Sequence, residues 1–261
     1  MKPISSKRKY IAVVGQKGGV GKTTTAVNFL IQSCLVEKTP TALIDCDNDQ
    51  FSSFEFFLDR EKTNKTLIKK ALIELSIKSI STEEIDQLTY QDLVDYAKEL
   101  SVKILPYVHI EPMIANDLIK NISDLGKRFD RIIIECGGRK DEETKIALQL
   151  ADIIIMPLIP GPQEIKTIKK VEKLIYEADC AKTKALIIPN KVSTHPQDPD
   201  LKELIDNAPK LQFFKFTKNS IKDRKVFSRS FKHGAGIIEV RPKNPEAIYD
   251  LTKVFEEVIY G

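Results

Sequence analysis

A glycine-rich stretch near the N-terminus constrains the fold of this chain more than any other feature. It reads Gln-Lys-Gly-Gly-Val-Gly-Lys-Thr-Thr over residues 16–24, and it lies between an apolar run at 10–14 and a segment with helical spacing at 22–36. Backbone N–H groups in such a turn form a concave site for anions, and the N-terminus of the helix adds roughly half a positive charge. The stretch therefore predicts a loop that holds the phosphates of a nucleotide.

The residue types in this loop suit that chemistry. Glycine lets the backbone approach the phosphates and adopt dihedral angles that a side chain would disfavour. Lys22 would bring a positive charge to the β- and γ-phosphates of ATP, and the hydroxyl of Thr23 would ligate Mg²⁺. The loop has Gln16 where the ordinary pattern has glycine, and it carries a second lysine, Lys17, that the ordinary pattern does not require. The expected cofactor-binding residues of the loop are Gly18, Gly19, Val20, Gly21, Lys22, Thr23 and Thr24.

Apolar runs rich in Val, Ile and Leu alternate with helical patterns along the chain. Continuous apolar runs are typical of strands that helices cover on both faces. The alternation predicts an α/β fold with a doubly wound, mostly parallel sheet flanked by helices, in which ligands bind at the carboxyl ends of the strands. The expected strands are residues 10–14, 41–45, 102–105, 131–136, 152–156, 184–189 and 213–216.

Composition excludes several classes of protein. Apolar residues make up 42% and charged residues 30% of the chain, which excludes a largely disordered protein. No uncharged run approaches the ~20 residues that cross a bilayer, and the N-terminus resembles no signal peptide, so we expect a cytoplasmic protein. Without a repeat or a linker, we expect a single domain over 1–261, with surface helices at 60–101. The cysteines lack metal-ligand spacing and are expected to be reduced and mostly buried; they are Cys34, Cys46, Cys136 and Cys180.

The stretch Lys17-Gly18-Gly19-Val20-Gly21-Lys22-Thr23-Thr24 resembles the deviant Walker A motif of the ParA/MinD ATPases. The resemblance implies a P-loop ATPase that uses Mg²⁺, has a low intrinsic turnover, and forms a homodimer with ATP held between the two subunits. In that family the early lysine reaches across to the partner's phosphates. The resemblance therefore implies catalytic roles for Lys17 and Lys22.

The chain after the second expected strand is similar to a further motif of the family. Residues 44–50 read Ile-Asp-Cys-Asp-Asn-Asp-Gln, and the family has Asp-x-Asp-Pro-Gln. The resemblance implies that Asp47 orients the attacking water and that Asp45 supports the magnesium ion. Asn48-Asp49 stands where the family has a single proline. Taken alone, an Asp-x-Asp at a strand end is more often a helix cap or a turn.

Two more strand ends match the family. Glu135 ends the fourth expected strand, where the family has an aspartate, so the metal residues that the resemblance implies are Thr23, Asp45 and Glu135. Gly137 and Gly138 follow as a switch that would sense the γ-phosphate, with a plain turn as the alternative. Asn190 ends the sixth expected strand, and in relatives an asparagine here holds the adenine.

Positive charge is concentrated at residues 210–243, which contain ten Lys or Arg residues against two acidic residues. Such a segment is typical of a polyanion-binding surface, although a solvated face is the common alternative. In DNA-partitioning relatives this region binds double-stranded DNA without sequence preference. The last expected helix, 245–260, has an acidic face opposite its apolar face, which disfavours membrane binding. The candidate DNA-binding residues are Lys218, Lys222, Arg224, Lys225, Arg229 and Lys232.

These features indicate a short ParA-like partition ATPase, since the first expected strand begins at Tyr10 with no helix-turn-helix segment before it. The expected role is plasmid or chromosome segregation on the nucleoid, with hydrolysis stimulated by a centromere-bound partner protein. Two alternatives stay open. One is an ATPase that positions a non-DNA cargo on the nucleoid, and the other is a nucleotide-binding adaptor with weak hydrolysis.

Overall fold

The fold is described from a computed structural model, which covers residues 9–47, 50–75, 80–137, 142–161, 163–181, 183–194, 198–207 and 210–261. Three residues that the sequence singles out lie outside these ranges. They are Asn48, Asp49 and Gly138.

The described residues form one sheet of seven parallel strands, in the order β3-β2-β4-β1-β5-β6-β7. This order confirms the doubly wound fold, because β2, β3 and β4 lie on one side of the central strand β1 and β5, β6 and β7 lie on the other. Six of the expected strands are present within two residues of their expected bounds. The strands are β1 (Lys9–Val13), β2 (Thr41–Cys46), β3 (His109–Pro112), β4 (Arg131–Cys136), β5 (Ile153–Leu158), β6 (Lys184–Pro189) and β7 (Phe214–Phe216).

Helices cover both faces of the sheet. The first continues beyond Ile31 as a π-helical segment, Gln32–Val36. The helices are α1 (Lys22–Ile31), α2 (Ser52–Glu74), α3 (Thr82–Asp86), α4 (Tyr90–Glu99), α5 (Ala115–Arg128), α6 (Glu142–Leu150), α7 (Glu164–Glu177), α8 (Pro199–Asp206), α9 (Lys225–Phe231) and α10 (Pro245–Tyr260).

The third strand differs from its prediction. Residues Val102–Leu105 are not a strand, and β3 instead pairs with β2 four residues beyond the predicted end. Asn64 of α2 explains the difference, because its side-chain amide donates to the carbonyl of Leu105 at 3.0 Å and accepts from its N–H at 2.8 Å. Both backbone groups that a strand would need at Leu105 are therefore used by a helix side chain.

The helical segment at 60–101 has an apolar cluster of its own. The C-terminal half of α2 packs against α3 and α4, and the cluster includes Ile68, Leu72 and Leu93. Arg60, near the middle of α2, is fully buried and ties the helix to the C-terminal part of the chain through Glu239. The helices of this segment bury one face of each against the others.

Two larger cores lie on opposite faces of the sheet. The first contains residues of α1, α9 and α10, with Phe29 and Phe255 in edge-to-face contact at a centroid distance of 5.1 Å. The second contains residues of α5, α6, α7 and α8. The cysteines are free, three of them are buried, and Cys34 is half-buried, as expected.

The apolar face of α10 is buried in the first core. Two lysines of the sheet hold the carbonyl groups at its C-terminal end. Lys184 donates to the carbonyls of Val258 at 3.2 Å and Gly261 at 2.7 Å, and Lys9 donates to the carbonyl of Ile259. Across the ranges that the structure describes, no helix combines the length and apolar character that a membrane span needs.

Candidate nucleotide site

The glycine-rich loop follows β1, where the winding of the sheet reverses direction. Strands β4 and β5 lie on either side of β1. The strand order reverses at this point of the sheet, which opens a crevice at the carboxyl ends of the strands. Gly19 and Gly21 both have positive φ angles, +72° and +96°. A side chain would be strained at both positions, so the loop conformation accounts for these two glycines.

Helix α1 begins at Lys22 with no side-chain cap among the described residues. The N–H groups of its first turn therefore point toward the crevice as free donors for an anion. The Lys22 side chain is almost fully buried, whereas Lys17 is half exposed. The structure brings the loop residues together around a cavity of about 520 Å³, whose lining includes Gln16, Gly18, Gly19, Val20, Gly21, Lys22, Thr23, Thr24, Asp47, Gln50, Ser52, Lys191 and Phe231.

Glu135 lies at the floor of the site, at the end of β4, and is buried. The hydroxyl of Thr23 donates to its Oε1 at 2.5 Å, and the hydroxyl of Ser53 donates to its Oε2. Burial and the neighbouring carboxylate of Asp45 raise the pKa of Glu135 to about 7. The expected metal residues Thr23, Asp45 and Glu135 thus lie in one cluster.

Asp45 is fully buried and fixes the start of α2. Its carboxylate accepts hydrogen bonds from the N–H groups of Asp47 at 3.1 Å, Ser53 at 2.8 Å and Phe54 at 3.1 Å. This is a helix cap supplied from a neighbouring strand, which satisfies donors at the N-terminus of α2. Burial raises the pKa of Asp45, and the N–H donors oppose that shift. The alternative that Asp-x-Asp serves as a cap is therefore realised at Asp45, while Asp47 lines the cavity.

Sequence reasoning missed two residues of the site. Ser53 is one, since its hydroxyl bridges α2 to Glu135. Glu164, at the start of α7, is the other. Its buried carboxylate accepts a hydrogen bond from Lys17 of the glycine-rich loop. The second carboxylate oxygen of Glu164 is buried and has no hydrogen-bond partner within the described residues. The sequence did hold a sign that Glu164 belongs to the site: it follows a proline-containing loop that begins at the end of a strand.

Asn190 lies behind the glycine-rich loop and is buried. Its side-chain amide donates to the carbonyl of Val20 at 2.7 Å, and a Cβ at Gly21 would lie 2.1 Å from its Nδ2. Asn190 therefore holds the loop directly. It also lines a second cavity of about 240 Å³, next to the first, with Thr24, Phe227 and Ser228 in its wall. Its expected contact with adenine stays a prediction, and this cavity is where that contact would occur.

The candidate DNA-binding residues fall into two groups. Lys218, Lys225, Arg229 and Lys232 are exposed. Lys222 and Arg224 are half-buried in the wall of the second cavity, which Lys225 also lines. Arg224 pairs with Glu246 at 2.7 Å and with Asp250 at 3.3 Å on α10. Arg224 is thus held by acidic side chains.

A parallel doubly wound sheet with this loop after its central strand defines a P-loop nucleotide-binding protein. The AAA domain family matches residues 8–188, and the chain belongs to that family as a P-loop ATPase of the ParA/MinD type. A ParA family protein of Mycoplasma genitalium is 25% identical over 235 residues, which cover 85% of this chain and 81% of that relative. The resemblance seen in the motifs is confirmed.

Two solved structures show the same fold. A plasmid partition protein of Borrelia burgdorferi B31, bound to AMPPNP, is similar with a TM-score of 0.62 at 18% identity, over 96% of this chain and 98% of its own. MinD of Pyrococcus horikoshii, in complex with Mg-ADP, is similar with a TM-score of 0.57 at 17% identity, over 95% of this chain and 94% of its own. At these identities the comparison supports the fold.

Proposed function

We propose that this chain is a ParA-like partition ATPase that segregates plasmid or chromosomal DNA. ATP and Mg²⁺ bind at the glycine-rich loop, two copies close over the nucleotides, and the homodimer binds double-stranded DNA without sequence preference. A centromere-bound partner protein stimulates hydrolysis, and the dimer then leaves the DNA. The observation that carries the proposal is the position of Lys17. Its neighbours in the chain, Gln16 and Gly18, line the cavity, whereas Lys17 itself does not, and its side chain is 48% exposed.

The two lysines of the loop would contact the phosphates of different subunits. Lys22 is buried beside its own loop and serves the phosphates of its own subunit. Lys17 extends outward and would reach the partner's phosphates, where an added cation neutralises the charge that develops during phosphoryl transfer. In the single subunit Lys17 is paired with Glu164. Dimerisation would therefore exchange this ion pair for a contact with phosphate across the interface.

The donors around Glu135 fit a magnesium ion, because hydroxyl and carboxylate oxygens are the ligands that Mg²⁺ prefers. Thr23, Asp45 and Glu135 would hold the ion or its bound waters, and Asp45 is fixed in place by three backbone N–H groups. When it is bound, the magnesium ion would neutralise negative charge on the phosphates. Asp47, in the cavity wall, would accept a hydrogen bond from the attacking water.

Helix α9 connects the nucleotide site to the exposed cations. Phe231 at its end lines the phosphate cavity and contacts Phe56 of α2 at a centroid distance of 5.2 Å. Arg229 and Lys232 are exposed beside Phe231. A nucleotide in the cavity would thus contact the element that carries these cations. Binding without sequence preference would place the ATP-bound protein on the nucleoid.

Reversing the charge of Arg229 and Lys232 together is expected to weaken DNA binding and to spare ATP binding. Arg229→Glu with Lys232→Glu should lower the affinity for a short mixed-sequence duplex at least tenfold in Mg-AMPPNP. The slope of log affinity against log salt should fall by about 2, since each lost phosphate contact contributes about 0.9. Fluorescence anisotropy at several salt concentrations measures both quantities. These two residues are chosen because Lys222 and Arg224 line the cavity beside the loop, where a substitution would also disturb ATP.

The matched control is Lys62→Glu with Lys70→Glu, which makes the same charge change at exposed positions of α2. It should bind the duplex as the unchanged chain does. Equal DNA affinity of the Arg229/Lys232 variant and the control would reject this surface. Equal affinity of the unchanged chain in Mg-ADP and in Mg-AMPPNP would reject the nucleotide switch.

A further inference from the structure

Lys191 has a backbone conformation that lysine rarely adopts. Its φ angle is +52°, in the left-handed region, and four other described residues that are not glycine share a positive φ. Three of the four, Lys38, Ser101 and Asp179, lie just after the end of a helix, where this conformation is common. The fourth, Phe51, precedes α2. Lys191 follows a strand instead, two residues beyond the end of β6, and it lines the phosphate cavity.

The residues on either side of Lys191 fix this conformation. The N–H of Asn190 donates to the carbonyl of Leu158 at the end of β5, at 2.8 Å. The N–H of Val192 donates to the carbonyl of Ile221 at 3.1 Å. A strained backbone persists only where the surrounding structure fixes it, and such residues concentrate at functional sites. The left-handed conformation of Lys191 therefore points to a role for its side chain.

The side chain of Lys191 contacts the glycine-rich loop. Its Nζ donates to the carbonyl of Gly19 at 2.9 Å. The preceding residue, Asn190, donates to the carbonyl of Val20 at 2.7 Å. Two successive residues at the end of β6 thus hold two successive carbonyl groups of the loop. Lys191 also lines the second cavity, so it lies where the two cavities meet.

These two hydrogen bonds also set the directions of N–H groups in the loop. A trans peptide unit is planar, and its carbonyl and N–H point in opposite directions. The carbonyl of Gly19 shares a peptide unit with the N–H of Val20, and the carbonyl of Val20 shares one with the N–H of Gly21. N–H groups of this kind are what a glycine-rich loop offers to an anion. Holding the carbonyls therefore holds the donors for phosphate.

We propose that Lys191 is a positioning residue for the nucleotide, which acts through Gly19 to hold the glycine-rich loop in its phosphate-binding conformation. Gly19 has no side chain to restrict the peptide that follows it, and its φ is +72°. Without the ammonium group of Lys191, this peptide is free to rotate and its N–H leaves the phosphate. The inference rests on the ATP binding of the proposed function, and it requires neither dimerisation nor DNA.

The proposed role differs from a contact with the base or the ribose. A residue that holds the loop is needed for any ligand that carries phosphates, including inorganic tripolyphosphate. A residue that touches the base or the ribose affects the nucleotide alone. The role also differs from a direct contact with phosphate, because a residue that holds the loop orders it before any ligand binds.

The test is Lys191→Met, which keeps the length of the side chain and removes the ammonium group. Isothermal titration should show about tenfold weaker binding of both MgATP and magnesium tripolyphosphate, by the same factor, since a hydrogen bond from a charged donor is lost. Hydrogen–deuterium exchange in the nucleotide-free protein should be faster at residues 18–21. Lys191→Arg, which keeps a charged donor, should restore most of the affinity.

Lys191→Gly separates binding from stability. Glycine adopts a positive φ without strain, so this variant should lose affinity for MgATP while its midpoint of urea denaturation does not fall. A merely structural role would lower that midpoint. Lys38→Gly is the matched control, because it makes the same change at an exposed lysine with φ of +59° at the other end of the first helix. It should bind MgATP as the unchanged chain does.

Three results would overturn the inference. The first is equal MgATP affinity of Lys191→Met and the unchanged chain. The second is weaker binding of MgATP with unchanged binding of tripolyphosphate, which would assign Lys191 to the base or the ribose. The third is unchanged exchange at residues 18–21 in Lys191→Met. No MgATP binding by the unchanged chain would reject the proposed function instead, and exchange in the nucleotide-free loop would still decide whether Lys191 holds it.

Discussion

Gly21→Ala is expected to lower the affinity for MgATP at least tenfold. Gly21 has φ of +96°, where alanine is strained, and the added Cβ would lie 2.1 Å from Nδ2 of Asn190. The loop must shift to relieve this overlap, and Asn190 would lose its hold on the carbonyl of Val20. Each backbone N–H that no longer meets a phosphate forfeits a charge-assisted hydrogen bond of about 1.5–3 kcal/mol. One such bond corresponds to a factor of ten or more.

Isothermal titration with MgATP measures this effect. Gly161→Ala is the matched control. Among the residues that the structure describes, the Cβ added there meets only the Glu164 side chain, at an ordinary 3.9 Å, and φ is not positive. It should bind ATP as the unchanged chain does. Full ATP affinity in Gly21→Ala would show that the loop conformation in this structure is not the one that binds phosphate.

Arg60→Ala is expected to lower the free energy of unfolding by about 3–5 kcal/mol. The guanidinium of Arg60 is fully buried and forms two hydrogen bonds with Glu239, at 2.6 and 2.8 Å. It also donates to the carbonyls of Gly234 at 2.7 Å and Pro106 at 2.8 Å. Removal of Arg60 leaves the largely buried carboxylate of Glu239 without its cation and two carbonyls without a donor.

Urea denaturation with an unchanged m-value measures the loss. The control on the same helix is Lys69→Ala, since Lys69 pairs with an Asp86 that is 57% exposed. Exposed pairs contribute about 0–1 kcal/mol, so this variant should unfold close to the unchanged chain. If Arg60→Ala and Lys69→Ala unfold at the same urea concentration, then the buried pair with Glu239 does not hold α2 to the C-terminal part of the chain.

Local patterns predicted most of the fold. The bounds of β4, β6 and α10 agree with their prediction, because each is a continuous apolar run or an amphipathic helix that its own sequence specifies. The third strand failed because Asn64, 41 positions earlier in the chain, takes the backbone groups of Leu105. The pattern of apolar and polar residues around Leu105 gives no indication of that contact.

The same distinction holds for the site. The glycine-rich loop is local, so its sequence alone predicts a turn at this strand end, and the role of each loop residue in binding stays a prediction. The partners that fix it are distant, since Lys17 and Glu164 are 147 positions apart and Ser53 and Glu135 are 82 positions apart. Such pairs depend on which strand ends become neighbours in the sheet. That order cannot be deduced from a single sequence before the fold is known.

The molar mass of the protein in solution with Mg-AMPPNP, measured by light scattering, tests nucleotide-driven dimerisation most directly. We expect twice the subunit mass of 29.6 kDa with the nucleotide and a single subunit without it. Lys17→Ala should bind the nucleotide and remain a single subunit, because it lacks the cation that reaches the partner's phosphates. An unchanged chain that stays at one subunit mass with saturating Mg-AMPPNP would contradict ATP-driven dimerisation and favour a nucleotide-binding adaptor.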